Sequence, residues 1–133
     1  MSEHRIRIVI VDDQALFRGG IAMLIQSQSD LELVGEAGNG ADALSLVSAT
    51  APDLVLMDLR MPVMDGIEAT ERLMAAPAPP RVLVLTTFDL DASAARAIRA
   101  GASGFVLKDA DPEFLLAAIR TVHAGSAVIA NVP

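Results

Sequence analysis

The chain has 133 residues, a length typical of a single domain. Hydrophobic residues make up 53% of it and charged residues 20%, a globular mixture that argues against intrinsic disorder. Its net charge of −7 argues against binding of nucleic acid or an anionic membrane by this chain alone, and the absence of cysteine excludes disulfides and thiolate chemistry. No apolar run approaches the length of a membrane span, so we expect a soluble, cytoplasmic domain.

Short aliphatic segments alternate with segments of helical period. The predicted strands are Ile6–Val11, Leu31–Glu36, Leu54–Met57, Val82–Leu85 and Gly104–Leu107. Three of them are nearly continuous in Val, Ile and Leu, which is typical of strands buried on both faces of a parallel sheet. Five βα units with right-handed crossovers predict an α/β fold, a (βα)5 flavodoxin-like doubly wound parallel sheet with strand order 2-1-3-4-5, in a single domain.

Local signals mark several helices. Phe17 belongs to an apolar stripe that predicts the core-facing side of the first helix. Asp65, with Glu68 three residues later, resembles a capping box, and Asp111 before Pro112 predicts a capped helix start with proline at its first position.

Polar side chains follow four of the five predicted strands. Asp12 and Asp13 follow the first strand, Asp58 the third, Thr86 the fourth and Lys108 the fifth. Ligands of such folds bind at the carboxyl ends of the strands, where the strand order reverses between strands 1 and 3. We therefore expect the three carboxylates to converge, with the hydroxyl and the ammonium on the same edge.

Three converging carboxylates repel one another, and either raised pKa values or a bound cation must offset that cost. Oxygen-only ligands favour Mg²⁺ over zinc or copper. A carboxylate beside Mg²⁺ can attack a phosphoryl group and form an aspartyl phosphate. Lys108 would supply a compact positive charge and Thr86 a hydroxyl donor to the phosphoryl oxygens.

Each of these residues also has a purely structural interpretation. Asp12 or Asp13 alone is as well explained as a helix N-cap. Thr86 alone is typical of a strand end, and Lys108 alone of a solvated surface. The order acid-acid, acid, hydroxyl, amine at four strand ends favours one shared site over independent structural roles.

A glycine-rich segment offers a competing interpretation. Residues 38–43 match G-x-G-x-x-A between a strand and a helix, and Asp58 lies 20 residues after Gly38, as in a dinucleotide site. That interpretation leaves the other strand-end residues without a role and needs the motif on the innermost strand. We favour a tight turn with Asn39 as the cap of the next helix, and no nucleotide cofactor.

Four separated segments resemble the receiver domain of bacterial two-component response regulators, in the NarL/FixJ branch. They are Val11–Gln14, Leu56–Gly66, Leu85–Thr87 and Gly101–Asp109, and the resemblance covers essentially the whole chain. It implies that Asp58 accepts a phosphoryl group from the phosphohistidine of a sensor histidine kinase.

The resemblance also implies the remaining roles at the site. Asp13 and Asp58 would bind Mg²⁺ directly together with the backbone carbonyl of Arg60, and Asp12 would act through water. Lys108 would pair with the phosphoryl group.

Two further residues would form the switch. Thr86 would move inwards to the phosphoryl group, and Phe105 would be the aromatic residue coupled to it. Thr87 is a weaker candidate for the hydroxyl role. These roles describe a phosphorylation-controlled binding module rather than an enzyme.

The branch sets expectations for the domain layout. Residues 1–124 are predicted to form the receiver domain, and residues 125–133 the start of a linker to a C-terminal helix-turn-helix domain that would bind DNA. We expect a homodimer on activation and regulation of transcription. Two alternatives are a phosphorylation-independent dimerisation module and an Asp58-nucleophile phosphohydrolase; Arg60 argues against the second because it stands where a proton-donating acid is needed.

Overall fold

Strands and helices alternate in the predicted order. The computed structural model describes residues 5–61, 63–87, 92–125 and 128–129. The strands are β1 (Ile6–Val11), β2 (Leu31–Ala37), β3 (Leu54–Asp58), β4 (Arg81–Thr86), β5 (Gly104–Leu107) and β6 (Val128–Ile129). The helices are α1 (Ala15–Gln26), α2 (Gly40–Thr50), α3 (Gly66–Met74), α4 (Ala92–Arg99) and α5 (Pro112–His123). Among the helices of these residues, none combines the length and the apolar character that crossing a bilayer requires.

All strand pairings in the sheet are parallel, and the strand order is β2-β1-β3-β4-β5-β6. The predicted order of the first five strands is confirmed. The short strand β6 was not predicted; it pairs Val128 with Gly104 and Ile129 with Phe105 at the free edge of β5. The segment 125–133, predicted to begin a linker, therefore includes two residues that extend the sheet.

Both faces of the sheet are covered, because alternate residues of each buried strand point to opposite sides. One side packs against α2, α3 and α4, and its strand residues are mainly valine, as at Val9, Val55 and Val84. The other side packs against α1 and α5, and its strand residues are mainly isoleucine and leucine, as at Ile8 and Leu56. The continuous aliphatic runs are thus explained by burial on both faces.

The helix-start predictions are partly confirmed. The Asp65 carboxylate accepts a hydrogen bond of 2.9 Å from the Glu68 N–H and so caps α3. The Glu68 carboxylate, however, pairs with Arg72 at 2.9 Å. Pro112 is the first residue of α5, but the Asp111 side chain makes no capping hydrogen bond, so the prediction of a side-chain cap there is wrong.

Val63, in the loop between β3 and α3, has a left-handed backbone with a φ of 72°. The residue is 83% exposed, so its side chain contributes little to packing. A β-branched residue is strained in this region, whereas glycine adopts it freely. We expect Val63→Gly to raise the free energy of unfolding by about 0.5–1 kcal/mol, measured by urea denaturation.

The matched variant is Val63→Ala, which retains the Cβ responsible for the strain. Its free energy of unfolding should rise less than that of Val63→Gly. Equal gains, or a loss of stability in Val63→Gly, would contradict this account of the loop.

Candidate functional site

The predicted site residues meet at the carboxyl ends of β1, β3, β4 and β5. A cavity of about 160 Å³ opens at this edge. It is lined by Asp13, Gln14, Asp58, Leu59, Arg60, Thr86, Thr87 and Lys108. The strand-end pattern in the sequence thus predicted a real juxtaposition of side chains from four separate parts of the chain.

The three carboxylates form one cluster. Asp12, Asp13 and Asp58 each place an oxygen within 4.8 Å of the oxygens of the other two. Asp12 is fully buried and Asp58 is buried, whereas Asp13 is exposed. The cluster therefore has two acids set into the sheet edge and one acid at its solvent side.

Asp12 is held by its neighbours and does not cap α1. Its Oδ1 accepts a hydrogen bond of 2.7 Å from the backbone N–H of Gln14, which occupies the N-cap position of α1. Its Oδ2 makes no hydrogen bond of good geometry within the described residues, but it lies 2.7 Å from the ammonium of Lys108. The N-cap interpretation of Asp12 is therefore wrong, and one of its buried oxygens is left for charge pairing.

Asp58 lies in an environment that disfavours its charge. Burial raises the pKa of the Asp58 carboxyl to about 6, and the negative charge of Asp12 adds to the increase. The ammonium of Lys108, 3.5 Å from Asp58 Oδ2, acts in the opposite direction. The backbone N–H of Arg60 also donates a long hydrogen bond of 3.4 Å to Asp58 Oδ1.

This donor set fits a hard divalent cation. It consists of oxygens from three carboxylates, two of them buried in a place that penalises negative charge. A cation there would relieve both the desolvation cost and the repulsion that raise the pKa of Asp58.

A backbone contact connects α3 to the end of β3. The Gly66 N–H donates a hydrogen bond of 2.9 Å to the Leu59 carbonyl. A Cβ at Gly66 would lie 2.2 Å from the Asp58 carbonyl oxygen, so only glycine allows this approach. The loop after Asp58 is therefore closed tightly onto the strand that carries it.

Comparison with known proteins identifies the family. Residues 8–120 match the family model described as the response regulator receiver domain. The chain belongs to this family. Receiver domains are signalling domains, which agrees with the expectation of a signalling role, and the match includes every strand-end residue discussed above.

The relatives that this receiver domain resembles are transcriptional regulators. It is 42% identical over 132 residues to the transcriptional regulatory protein YxjL of Bacillus subtilis, covering 99% of this chain and 61% of that protein. It is 36% identical over 124 residues to the nitrate/nitrite response regulator protein NarL of Escherichia coli, covering 93% and 57%. The chain therefore spans about 60% of the length of the curated relatives it matches.

Two solved structures of the same type superimpose closely. The signal receiver domain of a NarL protein from Mycobacterium tuberculosis gives a TM-score of 0.88 at 36% identity, over 92% of this chain and 98% of that one. A LuxR-family response regulator from Aurantimonas gives a TM-score of 0.87 at 38% identity, over 92% and 88%. The NarL-like branch and the receiver fold are thereby confirmed.

The two predicted switch residues lie on one face of the receiver sheet. Thr86 ends β4 at the cavity, and its carbonyl accepts a hydrogen bond of 2.7 Å from the Lys108 N–H. Phe105 pairs in register with Val84, two residues before Thr86, so both side chains point to the side of α4. Phe105 does not line the cavity and is buried in the core.

The glycine-rich segment forms the tight turn that we favoured. It follows β2, an edge strand, and the Asn39 side chain accepts a hydrogen bond of 2.8 Å from the Asp42 N–H. The Gly40 N–H donates to the Met64 carbonyl at 3.0 Å, so part of this helix N-terminus is already occupied by protein.

Sequence reasoning missed two residues that surround the Lys108 ammonium. The side-chain oxygen of Gln14 accepts a hydrogen bond of 2.8 Å from Nζ, and the ring of Phe17 lies with its centroid 4.6 Å from Nζ. From the sequence alone, Phe17 is only part of the apolar stripe that predicts the core-facing side of α1. Its spacing of three residues from Gln14 is the signal that both share one side of the helix start.

Proposed function

We propose that this receiver domain accepts a phosphoryl group on Asp58 from the phosphohistidine of a sensor histidine kinase, in a Mg²⁺-dependent reaction. The observation that carries the proposal is the position of Asp58. It is a buried carboxylate that lines a cavity, clustered with two further acids and 3.5 Å from an ammonium.

The chemistry follows from these groups. An oxygen of Asp58 attacks the phosphorus, the phosphorus–nitrogen bond of the phosphohistidine breaks, and the electron pair of that bond stays on the imidazole. Asp13, Asp58 and the carbonyl of Arg60 would hold Mg²⁺, with Asp12 acting through water; the ion, when bound, neutralises charge on the phosphoryl oxygens. Lys108 supplies the protein's own positive charge to the same oxygens.

The proposed switch follows from the charge that phosphorylation adds. An aspartyl phosphate adds negative charge and acceptor oxygens to a cavity already lined by acids. Thr86 would satisfy one of these oxygens by moving its hydroxyl inwards, and Phe105, on the same face of the sheet, would repack toward α4. The phosphoryl group then shifts an equilibrium between two packings of β4, β5 and α4.

A docking surface for the kinase adjoins the cavity. An apolar groove between α1 and α5 includes Leu16, Met23 and Lys108, and the first two side chains are 94% and 73% exposed. Exposed apolar patches of this kind mark contacts with other proteins. Lys108 lines both the groove and the cavity, so a partner in the groove would lie next to the proposed phosphoryl acceptor.

The proposed output lies beyond this domain. We propose that phosphorylation controls homodimerisation in the cytoplasm and thereby DNA binding by a C-terminal helix-turn-helix domain, for which residues 125–133 begin the linker. The net charge of −7 and the names of the relatives support a division of labour in which DNA contacts belong to the other domain.

The decisive experiment is the intact mass of the protein after incubation with Mg²⁺ and acetyl phosphate. We expect one added phosphoryl group in the wild type, and none in Asp58→Ala or when EDTA removes Mg²⁺. The phosphoryl group should be lost slowly, because the site lacks a proton-donating acid at position 60.

Three results would change the proposal. Steady release of phosphate from phosphate esters would favour the phosphohydrolase. Absence of both a phosphoryl adduct and beryllofluoride binding would favour the phosphorylation-independent dimerisation module. An adduct that persists in Asp58→Ala would place the acceptor elsewhere.

A further inference from the structure

The ammonium of Lys108 is enclosed by more than the acidic cluster. Its side chain is 9% exposed, and Nζ lies 2.7 Å from Asp12 Oδ2 and 2.8 Å from Gln14 Oε1. The Phe17 ring covers another side at 4.6 Å. Asp58 Oδ2, at 3.5 Å, is the most distant of its oxygen partners.

Gln14 and Phe17 come from the first turn of α1, and the geometry of that turn explains why both reach Lys108. Gln14 is at the N-cap position, but its side chain makes no capping hydrogen bond. Its amide is therefore available to the ammonium, with the oxygen oriented as an acceptor as the donor requires. Phe17, three residues later, lies on the same side of the helix.

Hydrogen bonds of Arg18 hold the first turn of α1 in place. The Arg18 guanidinium donates one hydrogen bond to the backbone carbonyl of Asp12 and another, of 3.1 Å, to Glu36 on β2. The Arg18 N–H also closes the first helical turn on the Gln14 carbonyl at 2.9 Å. The start of α1 is thus tied to the end of β1 and to the edge of the sheet, which fixes the positions of Gln14 and Phe17.

The number of N–H groups that protein acceptors occupy at Nζ determines how many the Lys108 ammonium can offer to a substrate. An ammonium has three N–H groups. Gln14 Oε1 occupies one of them with a hydrogen bond of 2.8 Å. Asp12 Oδ2, 2.7 Å away, pairs with the ammonium by charge without hydrogen-bond geometry, and the 3.5 Å separation from Asp58 is too long for a strong hydrogen bond. Within the part of the chain that the structure describes, the ammonium therefore retains N–H groups for an acceptor placed on Asp58.

We propose that Gln14 and Phe17 are positioning residues that orient the Lys108 ammonium, so that an N–H not bound to Gln14 is directed at a phosphoryl group entering on Asp58. This inference rests on the proposed phosphorylation of Asp58. The Gln14 oxygen fixes the direction of the ammonium by a charge-assisted hydrogen bond, and the Phe17 face adds a cation–π contact while excluding water. The orientation is set before the phosphoryl donor arrives, so little reorganisation is needed during transfer.

The expected effect is a slower transfer at full Mg²⁺ occupancy. Phe17→Leu retains apolar bulk but removes the aromatic face, and Gln14→Ala removes the acceptor. Each should lower the maximal rate of phosphorylation by acetyl phosphate about fivefold, the factor to which ~1 kcal/mol corresponds. Neither residue is one of the clustered carboxylates, so the affinity for Mg²⁺ should be unchanged.

Three comparisons separate positioning from a general structural role. Phe17→Tyr keeps the aromatic face and should restore the wild-type rate. Phe114→Leu changes another half-exposed phenylalanine, on α5, and should leave the rate unchanged. In a Lys108→Ala background, Phe17→Leu should cause no further loss, because the group it positions is gone.

A readout that needs no phosphorylation completes the test. The Phe17 ring should shift the NMR signals of the Lys108 side chain upfield, and Phe17→Leu should abolish that shift. A phosphorylated wild type with an unchanged rate in both Phe17→Leu and Gln14→Ala would overturn the inference and leave the proposed function intact. A wild type that is never phosphorylated would overturn the proposed function first, and this inference with it.

Discussion

Replacing Gly66 with alanine is expected to lower the free energy of unfolding by about 3 kcal/mol and to abolish phosphorylation of Asp58. The new Cβ would lie 2.2 Å from the Asp58 carbonyl oxygen and 2.8 Å from the Leu59 Cα. Both are backbone atoms, so no side chain can rotate away to relieve the contact. The start of α3 or the end of β3 must move, and the hydrogen bond of Gly66 to Leu59 is strained at the same time.

The same substitution at Gly19 is the matched control. Gly19 lies inside α1, and a Cβ there would meet no atom within 4 Å. Gly19→Ala should raise the free energy of unfolding by about 0.5–1 kcal/mol, because alanine favours the helix over glycine. Urea denaturation of both variants gives the comparison, and Gly66→Ala as stable as the wild type would refute this account of the β3–α3 contact.

Much of the fold could be predicted because its strands are buried on both faces. Continuous aliphatic runs gave β1 and β5 their observed bounds, whereas β3 extends one residue further, to Asp58, where a carboxylate ends the apolar signal. The strand β6 was not predicted, since two residues carry no periodicity and their pairing depends on β5. Local pattern is sufficient for buried strands and insufficient for an edge formed only by tertiary contact.

The functional site also has a part that could be predicted from the sequence and a part that could not. Its acids, hydroxyl and amine could be predicted because each lies at the end of a strand or within two residues after it, and parallel strands end at one edge of the sheet. The contacts of Gln14 and Phe17 with Lys108 could not be predicted, because they join the start of α1 to the residue after β5, about 90 positions further along the chain. Phe17 in particular has the spacing of a core residue, and only the position of the ammonium reveals its second contact.

The ionised carboxylate of Asp58 is expected to lower the free energy of unfolding. Burial, with the charge of Asp12, raises the pKa of the Asp58 carboxyl to about 6 in the folded protein, from 3.8. Between these two values the folded state binds more protons than the unfolded state, so stability falls as the pH rises through this window. Above about pH 6 the whole cost is present, about 2–3 kcal/mol for a difference of two pH units.

Asp58→Asn removes this cost because the amide carries no charge at any pH. In EDTA we expect the variant to exceed the wild type in free energy of unfolding by about 2 kcal/mol near pH 8, and by almost nothing near pH 4. Excess Mg²⁺ should reduce this difference in the free energy of unfolding, because a cation that binds the carboxylate cluster only in the folded state stabilises the wild type. Asp65→Asn, which removes one exposed negative charge but keeps an N-cap oxygen, reports the effect of net charge alone. If the wild type and Asp58→Asn have the same free energy of unfolding near pH 8 without Mg²⁺, the buried carboxylate does not destabilise the folded protein. The folded site would then provide no electrostatic reason to bind a cation.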